Sequence, residues 1–477
     1  MTGSLTLTEC QHEVLQSMIF PGDGFESAAI LICRYTGQDR ERLIVSKILD
    51  VPDCACIVRK PDYISWPGAS IEEAIDIAEL HGDAIVLIHS HPGGWLHFSK
   101  IDDASDRSTM PSLFAAIEAN GFYHGSAIMT PNGAIKARVY NPTGEAMQIS
   151  RTWRIGQNIT DVAAITENPV MPFGAQMAAS FGRQTACVIG VSGTGSLMAE
   201  LLARKGIGHL VLIDFDTIER KNLNRIVNST VADADANRSK TRMMAEAIAR
   251  YSPDTKVTII DTSIESREAV IAASSANVLF SCVDSMAGRS IAELISQSCL
   301  IPLIDLGVTI PTRKDTDGHP HVADVCGRID YVRPDGPNLT DRGVVTAEGL
   351  RREYLLENAP DAAEREIAAG YIKGVHEEAP SVMALNMRAA SDAVLEWVER
   401  QYPYRLDGNE GFVRTLFSHA AGEVEFSSDD DFETGDINEL GRGLLEPLLG
   451  VDPPVADDLE LPYRKPQHLA DVLSHRT

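Results

Sequence analysis

Between residues 186 and 306, five short apolar runs alternate with stretches of helical period: Ala186–Gly190, His209–Asp214, Val257–Asp261, Val278–Asp284 and Pro302–Leu306. Few folds accept that alternation. Strands buried on two faces read as continuous apolar runs, and parallel neighbours need a crossover helix, so the pattern predicts a mostly parallel sheet covered by helices. The first run ends in Gly190-Val191-Ser192-Gly193-Thr194-Gly195-Ser196, followed by a helical pattern that Gly206 closes. A strand, a glycine loop and a helix start together offer backbone amides to phosphates. After the next strand, Asp214 stands at the distance at which an acid reaches a nucleotide ribose. Up to this point an NAD-dependent dehydrogenase reads equally well.

The residues that follow separate the two readings. Asp216, then Asn222-Leu223-Asn224-Arg225, then Lys240, then Asp284 at a strand end form an ordered polar set that hydride transfer does not need. With the closing run Ala379–Asn386, this set resembles the ThiF-type adenylyltransferases, which include the activating enzymes of ubiquitin-like proteins. The resemblance implies ATP as substrate, with Gly190, Gly193 and Gly195 under the phosphates. It further places Asp214 at the ribose, Asp216 among the nucleotide-binding residues, Asn222, Arg225 and Lys240 at the phosphates, and Asp284 on magnesium. Singly, Arg225 or Lys240 reads as a surface charge and Asp284 as a helix cap; as an ordered set they read as a site.

A second motif lies upstream. The run Asp83–Ile88 reads as a buried strand, so His89 and His91 leave its end on one side with period two. Ser99 and Asp102 read first as an ordinary helix start, with the serine as cap. A helix beginning there aims Asp102 back at the strand end, which completes the three protein ligands of a catalytic zinc. The pattern H-x-H-x(7)-S-x-x-D resembles the JAMM/MPN metallopeptidases that remove ubiquitin-like proteins. By that resemblance, His89, His91 and Asp102 hold zinc, Glu26 before the strand Ser27–Cys33 is the general base, and Ser99 steadies the oxyanion.

The expected architecture is α/β: a mixed JAMM/MPN domain at 1–145, a linker with a short helix at 146–184, a Rossmann-like adenylation domain at 185–404, and an acidic extension at 405–477. Capping boxes are expected at Thr8–Gln11 and Ser70–Glu73, and a hairpin turn at Pro131-Asn132-Gly133. The formal charge of −26 argues against nucleic-acid binding. No apolar run suits a membrane span, and no export signal is evident. Eight cysteines without a C-x-x-C pair fit a reducing cytoplasm, with Cys54 and Cys56 on one strand face as core residues. Glu423–Asp436 reads as a solvated loop.

Departures from the ThiF pattern are specific. Ser192 replaces a common glycine. The place of a zinc-binding C-x-x-C pair reads Pro337-Asn338-Leu339-Thr340, so that structural zinc is not expected. Between Thr309 and Ala379 the one cysteine is Cys326, in a strand-like run, so no thioester is expected on this chain; Thr340 is an alternative acceptor. The resemblance implies a homodimer through the adenylation domain and an arginine lent by a partner, for which Arg151 and Arg154 are candidates. Implied partners are a ubiquitin-like protein and a ubiquitin-conjugating-like acceptor. The rival readings are sulfur-carrier activation and a non-catalytic scaffold.

Overall fold

The computed structural model describes residues 3–37, 42–117, 123–163, 170–314, 316, 318–361 and 382–450. It divides into two compact units, one built on Met1–Pro169 with Gln297–Leu300 and Asn438–Leu449, the other on Val170–Ser296 with Ile301–Ile437.

In the first unit the elements run β1 (Ser4–Thr8), α1 (Glu9–Ile19), β2 (Ala28–Thr36), β3 (Arg42–Val51), the small hairpin β4 (Val58–Lys60) and β5 (Tyr63–Ser65), α2 (Ala69–Glu79), β6 (Ala84–Ser90) and α3 (Lys100–Ala116). They continue with β7 (His124–Met129), β8 (Ile135–Tyr140), β9 (Ala146–Gln148), β10 (Arg151–Ile155) and β11 (Ile159–Asp161). Nine strands make one mixed sheet, in the order β11-β10-β1-β3-β2-β6-β7-β8-β9. Strand β2 shows how both faces are covered. Ala29, Leu31 and Cys33 enter a cluster with Leu15 and Ile19 of α1, while Ala28, Ile30 and Ile32 enter another with Ala74 and Ala78 of α2 and Met110 and Leu113 of α3. Period-two alternation with both faces apolar gives the unbroken hydrophobic run seen in the sequence.

Thr8 caps α1 with the reciprocal Gln11 contact that was expected. The second expected box does not form. Ile71 and Glu72 already donate to the Gly68 carbonyl, so the helix starts ahead of Ser70 and has no side-chain cap. Cys54 and Cys56 are not strand core: Pro52 ends the strand, a short helical turn occupies Asp53–Ala55, and Cys54 is exposed. Residues 146–161, expected to open a linker, add three strands, with β10 pairing parallel to β1. Its arginines hid this strand. Arg151 faces Asp161 at 3.9 Å and Arg154 faces Glu9 at 3.7 Å, so neither candidate for a lent arginine is unpaired.

The second unit begins with α4 (Ala175–Phe181), β12 (Thr185–Ile189), α5 (Gly193–Arg204), β13 (His209–Ile213), α6 (Val231–Asp235), α7 (Lys240–Tyr251), β14 (Lys256–Ile260), α8 (Arg267–Ala273) and β15 (Val278–Ser281). It continues with α9 (Met286–Cys299), β16 (Leu303–Thr309), β17 (Thr312–Lys314), β18 (Pro320–Val322), β19 (Cys326–Val332), α10 (Ala347–Asn358), α11 (Met383–Gln401), β20 (Arg414–Ser418) and β21 (Glu423–Ser427). The sheet order is β14-β13-β12-β15-β16-β19-β20-β21. All five expected strands are present, and the pairs from β14 to β16 are parallel. Chain order reverses between β12 and β15, the switch point at which ligands bind such sheets.

The expected acidic extension is partly sheet. Strands β20 and β21 add to the antiparallel edge, because Val424 and Phe426 alternate with Glu423 and Glu425 on a strand whose side chains are exposed. Asp429 is not solvated either; it pairs with Arg333 at 2.8 Å and Arg342 at 3.1 Å. Residues 438–449 belong to the first unit, where Arg34 Nη1 donates to the Gly441 carbonyl at 3.2 Å. The expected tail beyond residue 450, with Pro453, Pro454 and Pro462, lies outside the described residues, as do Ala379, Pro380 and Ser381.

Candidate functional site

Two polar centres stand out, one in each unit. In the first, the antiparallel register Ala28↔His89 brings the segment before β2 alongside the end of β6. Ser90 N donates to the Ser27 carbonyl at 2.9 Å, and Ser27 N donates to Ser90 Oγ at 2.9 Å, which extends the alignment past the strand ends. Glu26 is thereby held near His89 and His91; the carboxylate and the two imidazoles offer ligand atoms within 4.8 Å of one another. His89 follows the parity of Ile85 and Leu87, on the face that α3 covers.

The start of α3 supplies the fourth group. Ser99 Oγ accepts from Ile101 N and Asp102 N, and Asp102 Oδ2 accepts from Ser99 N at 2.5 Å. The cap reading and the site reading therefore coexist: the capping box turns Asp102 toward the histidines. Asp102 Oδ1 lies 3.3 Å from His89 Nε2, and Oδ2 lies 3.8 Å from His91 Nε2. The two Nε2 atoms are 3.1 Å apart. Trp95 O lies 2.6 Å from His91 Nδ1. A carbonyl can only accept, so Nδ1 carries the proton and the Nε2 lone pair faces the cluster.

The charges are ordered by burial and contact. Burial, reinforced by Asp102 and opposed by His89, pushes the Glu26 carboxyl up to about 7, where it can take and return a proton near neutrality. Burial also lowers His91, which favours the neutral ligand form. For Asp102 burial acts upward, yet the hydrogen bond and charge of His89 together with the Ser99 amide hold the group well below the usual carboxylate range. Two imidazoles, an ionised carboxylate and a glutamate form a donor set that suits zinc.

In the second unit, Gly190 adopts a φ of +84° and turns the chain from β12 into α5. A Cβ at Gly195 would strike the Gly190 carbonyl, so only glycine lets this helix start so close to the strand. Ser192 is the N-cap without a side-chain bond, and no acid lies in the first turn; the helix end stays available to an anion. Asp214 Oδ2 accepts from Val191 N at 2.7 Å and braces the loop. Burial raises this carboxyl, against the pull of Lys240. Lys240 Nζ lies 2.7 Å from Asp216 Oδ2 and 3.6 Å from Asp214 Oδ1, so these three groups meet.

Arg225 lies beside the loop, its Cδ 3.4 Å from where a Gly193 Cβ would stand. Asn222 is buried, and its Oδ1 accepts from Glu219 N at 3.0 Å, closing a local turn. Asp284 is exposed just beyond β15, the strand paired with β12 at Ile189↔Ser281. It does not cap α9. Met286 N and Ala287 N instead donate to the Glu353 carboxylate at 2.8 and 3.0 Å, which leaves the Asp284 carboxylate for another role.

Residues 21–145 match the model for prokaryotic homologues of the JAB domain, and residues 167–328 match that of the ThiF family. The chain joins a JAB-type domain to a ThiF domain. The tRNA threonylcarbamoyladenosine dehydratase of Escherichia coli (strain K12) is 36% identical over 89 residues, 19% of this chain and 32% of the relative. Ubiquitin-like modifier-activating enzyme 5 of Aedes aegypti is 25% identical over 224 residues, 44% of this chain and 53% of the relative. The adenylyltransferase and sulfurtransferase MOCS3 of Drosophila willistoni is 29% identical over 195 residues, 39% and 42% of the two chains. The chain thus spans about a third to a half of the length of these relatives. The structure of Escherichia coli MccB with ATP aligns at 15% identity and a TM-score of 0.39, over 56% of this chain and 69% of that one. No helix among the described residues is long and apolar enough to cross a membrane.

Several supporting residues gave no signal in the sequence. In the JAB domain, Arg59 Nε donates to the Glu26 carbonyl at 3.0 Å and Nη2 to Ser27 Oγ at 2.7 Å, fixing the backbone at Glu26. Arg138 of β8 clamps α3: it bonds Asp103 at 2.6 Å and Asp106 at 2.7 Å, and stacks on Phe98 with its guanidinium 3.8 Å from the ring centroid. Both ends of the Ser99 cap are held by this one side chain. In the ThiF domain, Glu353 reaches α9 from α10, and only the fold brings the two together. Thr340, in the place of a missing zinc cysteine, donates to buried Glu293 from its amide at 3.1 Å and its hydroxyl at 3.3 Å. A carboxylate holds this turn. Burial pushes Glu293 up to about 7.

Proposed function

We propose that the chain is a two-enzyme fusion acting on one ubiquitin-like carrier in the cytoplasm: a zinc-dependent peptidase that exposes or releases the carrier's C-terminus, and an ATP-dependent enzyme that adenylylates it. The observation that carries this reading is the meeting of Glu26, His89, His91 and Asp102 at one strand end of a chain that also contains a ThiF domain.

His89, His91 and Asp102 would hold the zinc. When bound, the metal would supply a Lewis acid that acidifies a water molecule in the cleft. Glu26 takes the proton of the attacking water and returns it to the leaving amine nitrogen as the C–N bond breaks. The Ser99 hydroxyl oxygen already accepts two backbone amides, so its own proton is the one it can offer to the developing oxyanion. In the ThiF domain the freed carboxylate attacks the α-phosphorus of ATP, and pyrophosphate leaves with the bonding pair. Arg225 and Lys240 oppose the growing negative charge, Asp284 would hold magnesium, and the amides at the start of α5 receive the phosphates. Joining both activities in one chain raises the local concentration of processed carrier.

The fate of the adenylate is direct transfer to a partner protein or to a hydroxyl. Cys326 starts β19, its thiol 3.8 Å from the Thr309 carbonyl, and burial pushes it upward, away from the thiolate form. A second reading, sulfur-carrier activation, is favoured by the similarity to an adenylyltransferase that is also a sulfurtransferase. The deciding test incubates full chain, ATP, carrier and a thiol-free acceptor extract, with and without sulfide. Transfer of the carrier to a second protein supports conjugation; a sulfide-dependent thiocarboxylate mass supports the sulfur reading. Absence of carrier-dependent ATP–pyrophosphate exchange would remove both.

A further inference from the structure

Helix α11 begins at Met383 behind Val382, which provides no side-chain cap, and its first turn contains no acid. Asn386 sits in that turn with 1% of its surface exposed. Neither Nδ2 nor Oδ1 of its carboxamide has a hydrogen-bond partner. A buried amide unsatisfied at both ends is costly enough to need an explanation. Its direction supplies one. A Cβ on Gly193 would collide with Asn386 Nδ2 on one side and touch Arg225 Cδ on the other, so the amide is packed onto the glycine loop beside the arginine assigned to phosphate.

We propose that Asn386 contacts the acyl substrate at the adenylation site, pairing with the last peptide unit of the incoming chain and holding its carboxylate against the α-phosphate. The inference rests on the adenylation reading above. The choice of ligand follows from the inventory of the amide. A phosphate has only acceptors and would leave Oδ1 unpaired, whereas a peptide group presents one donor and one acceptor and satisfies both ends. Charge division agrees, since Arg225 and Lys240 serve the anionic phosphates while a neutral amide suits a neutral backbone. An adenine edge also has a donor and an acceptor, and a contact to it would weaken nucleotide binding whether or not an acyl group is attached. Asn386 makes and breaks no bond.

The test compares two probes on the full chain by calorimetry: α,β-methylene-ATP, which carries the nucleoside and phosphates without an acyl group, and an acetylglycyl sulfamate of adenosine, which carries a peptide unit joined to the nucleoside. Asn386→Ala, and Asn386→Leu as a variant that keeps the side-chain volume, should each weaken the acyl sulfamate about tenfold, the scale of one to two lost hydrogen bonds. Binding of α,β-methylene-ATP should not change, which also reports an intact glycine loop. Equal weakening of both probes would place Asn386 on the phosphates or the base and overturn the proposal, as would no weakening of either. If the unaltered chain binds neither probe, the adenylation reading itself fails, and that outcome is separate because it appears before any substitution.

Discussion

Both centres use the same device, a strand end facing a helix start, and they finish it in opposite ways. In the JAB domain the polar atoms converge on one another: the two imidazoles and Asp102 lie 3.1 to 3.8 Å apart, Glu26 offers an oxygen within 4.8 Å of the imidazole nitrogens, and a capping box, Trp95 and Arg59 fix them. In the ThiF domain Lys240 meets Asp214 and Asp216, but the glycine loop beside them is left open. Ser192 offers no cap, Gly193 and Gly195 add no side chain, and Asn386 has no partner. A cation as small as zinc needs donors already gathered, while an extended nucleotide and peptide need donors left unspent along a groove. The difference teaches that a cluster of mutual contacts and a set of orphaned groups can both mark chemistry.

The strongest way to break the comparison is at Glu26. Glu26→Gln should keep one zinc per chain and lower cleavage of a carrier fusion by on the order of 10² to 10⁴, the range of general acid–base catalysis. Normal cleavage would remove the base assignment, and loss of metal would make Glu26 a ligand. Next, Arg225→Ala and Asp284→Ala should each depress carrier-dependent ATP–pyrophosphate exchange by about 10²- to 10³-fold, as when one charge-stabilising group is removed, with peptidase rate unchanged. Parallel loss of both activities would argue that the two centres do not work independently.

A finer test concerns preorganisation. Arg138→Gln releases the α3 clamp at Asp103, Asp106 and Phe98, and should weaken zinc binding by about 10- to 100-fold in a chelator competition, the usual effect of an outer support. A cobalt-substituted sample should show a changed ligand-field spectrum, which a purely structural role would leave alone. The smallest effect is expected at Cys326. With the peptidase inactivated, Cys326→Ala should form the same carrier adduct with ATP as the unaltered chain; a thiol-sensitive adduct lost in the variant would overturn direct transfer.

The parallel strands and both polar sets could be read from the sequence because each rests on local order: apolar runs between helical patterns, and a His-x-His pair at fixed distance from Ser-x-x-Asp. The strand β10 could not, since Arg151 and Arg154 mask its alternation, and β21 could not, since its acids resemble a solvated loop. Asp429 illustrates the limit. Its partners Arg333 and Arg342 are about ninety residues away, and no local pattern encodes such a pair. Glu353 and Arg138 escaped for the same reason, since each acts on an element that only the tertiary fold brings near, and Asn386 was legible only as the end of a family run, not by its place beside Gly193.

The pairing of Ala28 with His89 makes the peptidase centre a matter of parity. Side chains alternate across a sheet, so shifting β2 by one position against β6 would send Glu26 to the opposite face from the histidines, whereas a shift of two would keep the face and change only the reach. Length changes upstream of Glu26 should therefore be tolerated in a loop, while a single inserted residue between Glu26 and Ala28 should silence cleavage without unfolding the sheet. The centre thus depends less on which apolar residues fill β2 than on how many residues separate its first pairing from the glutamate.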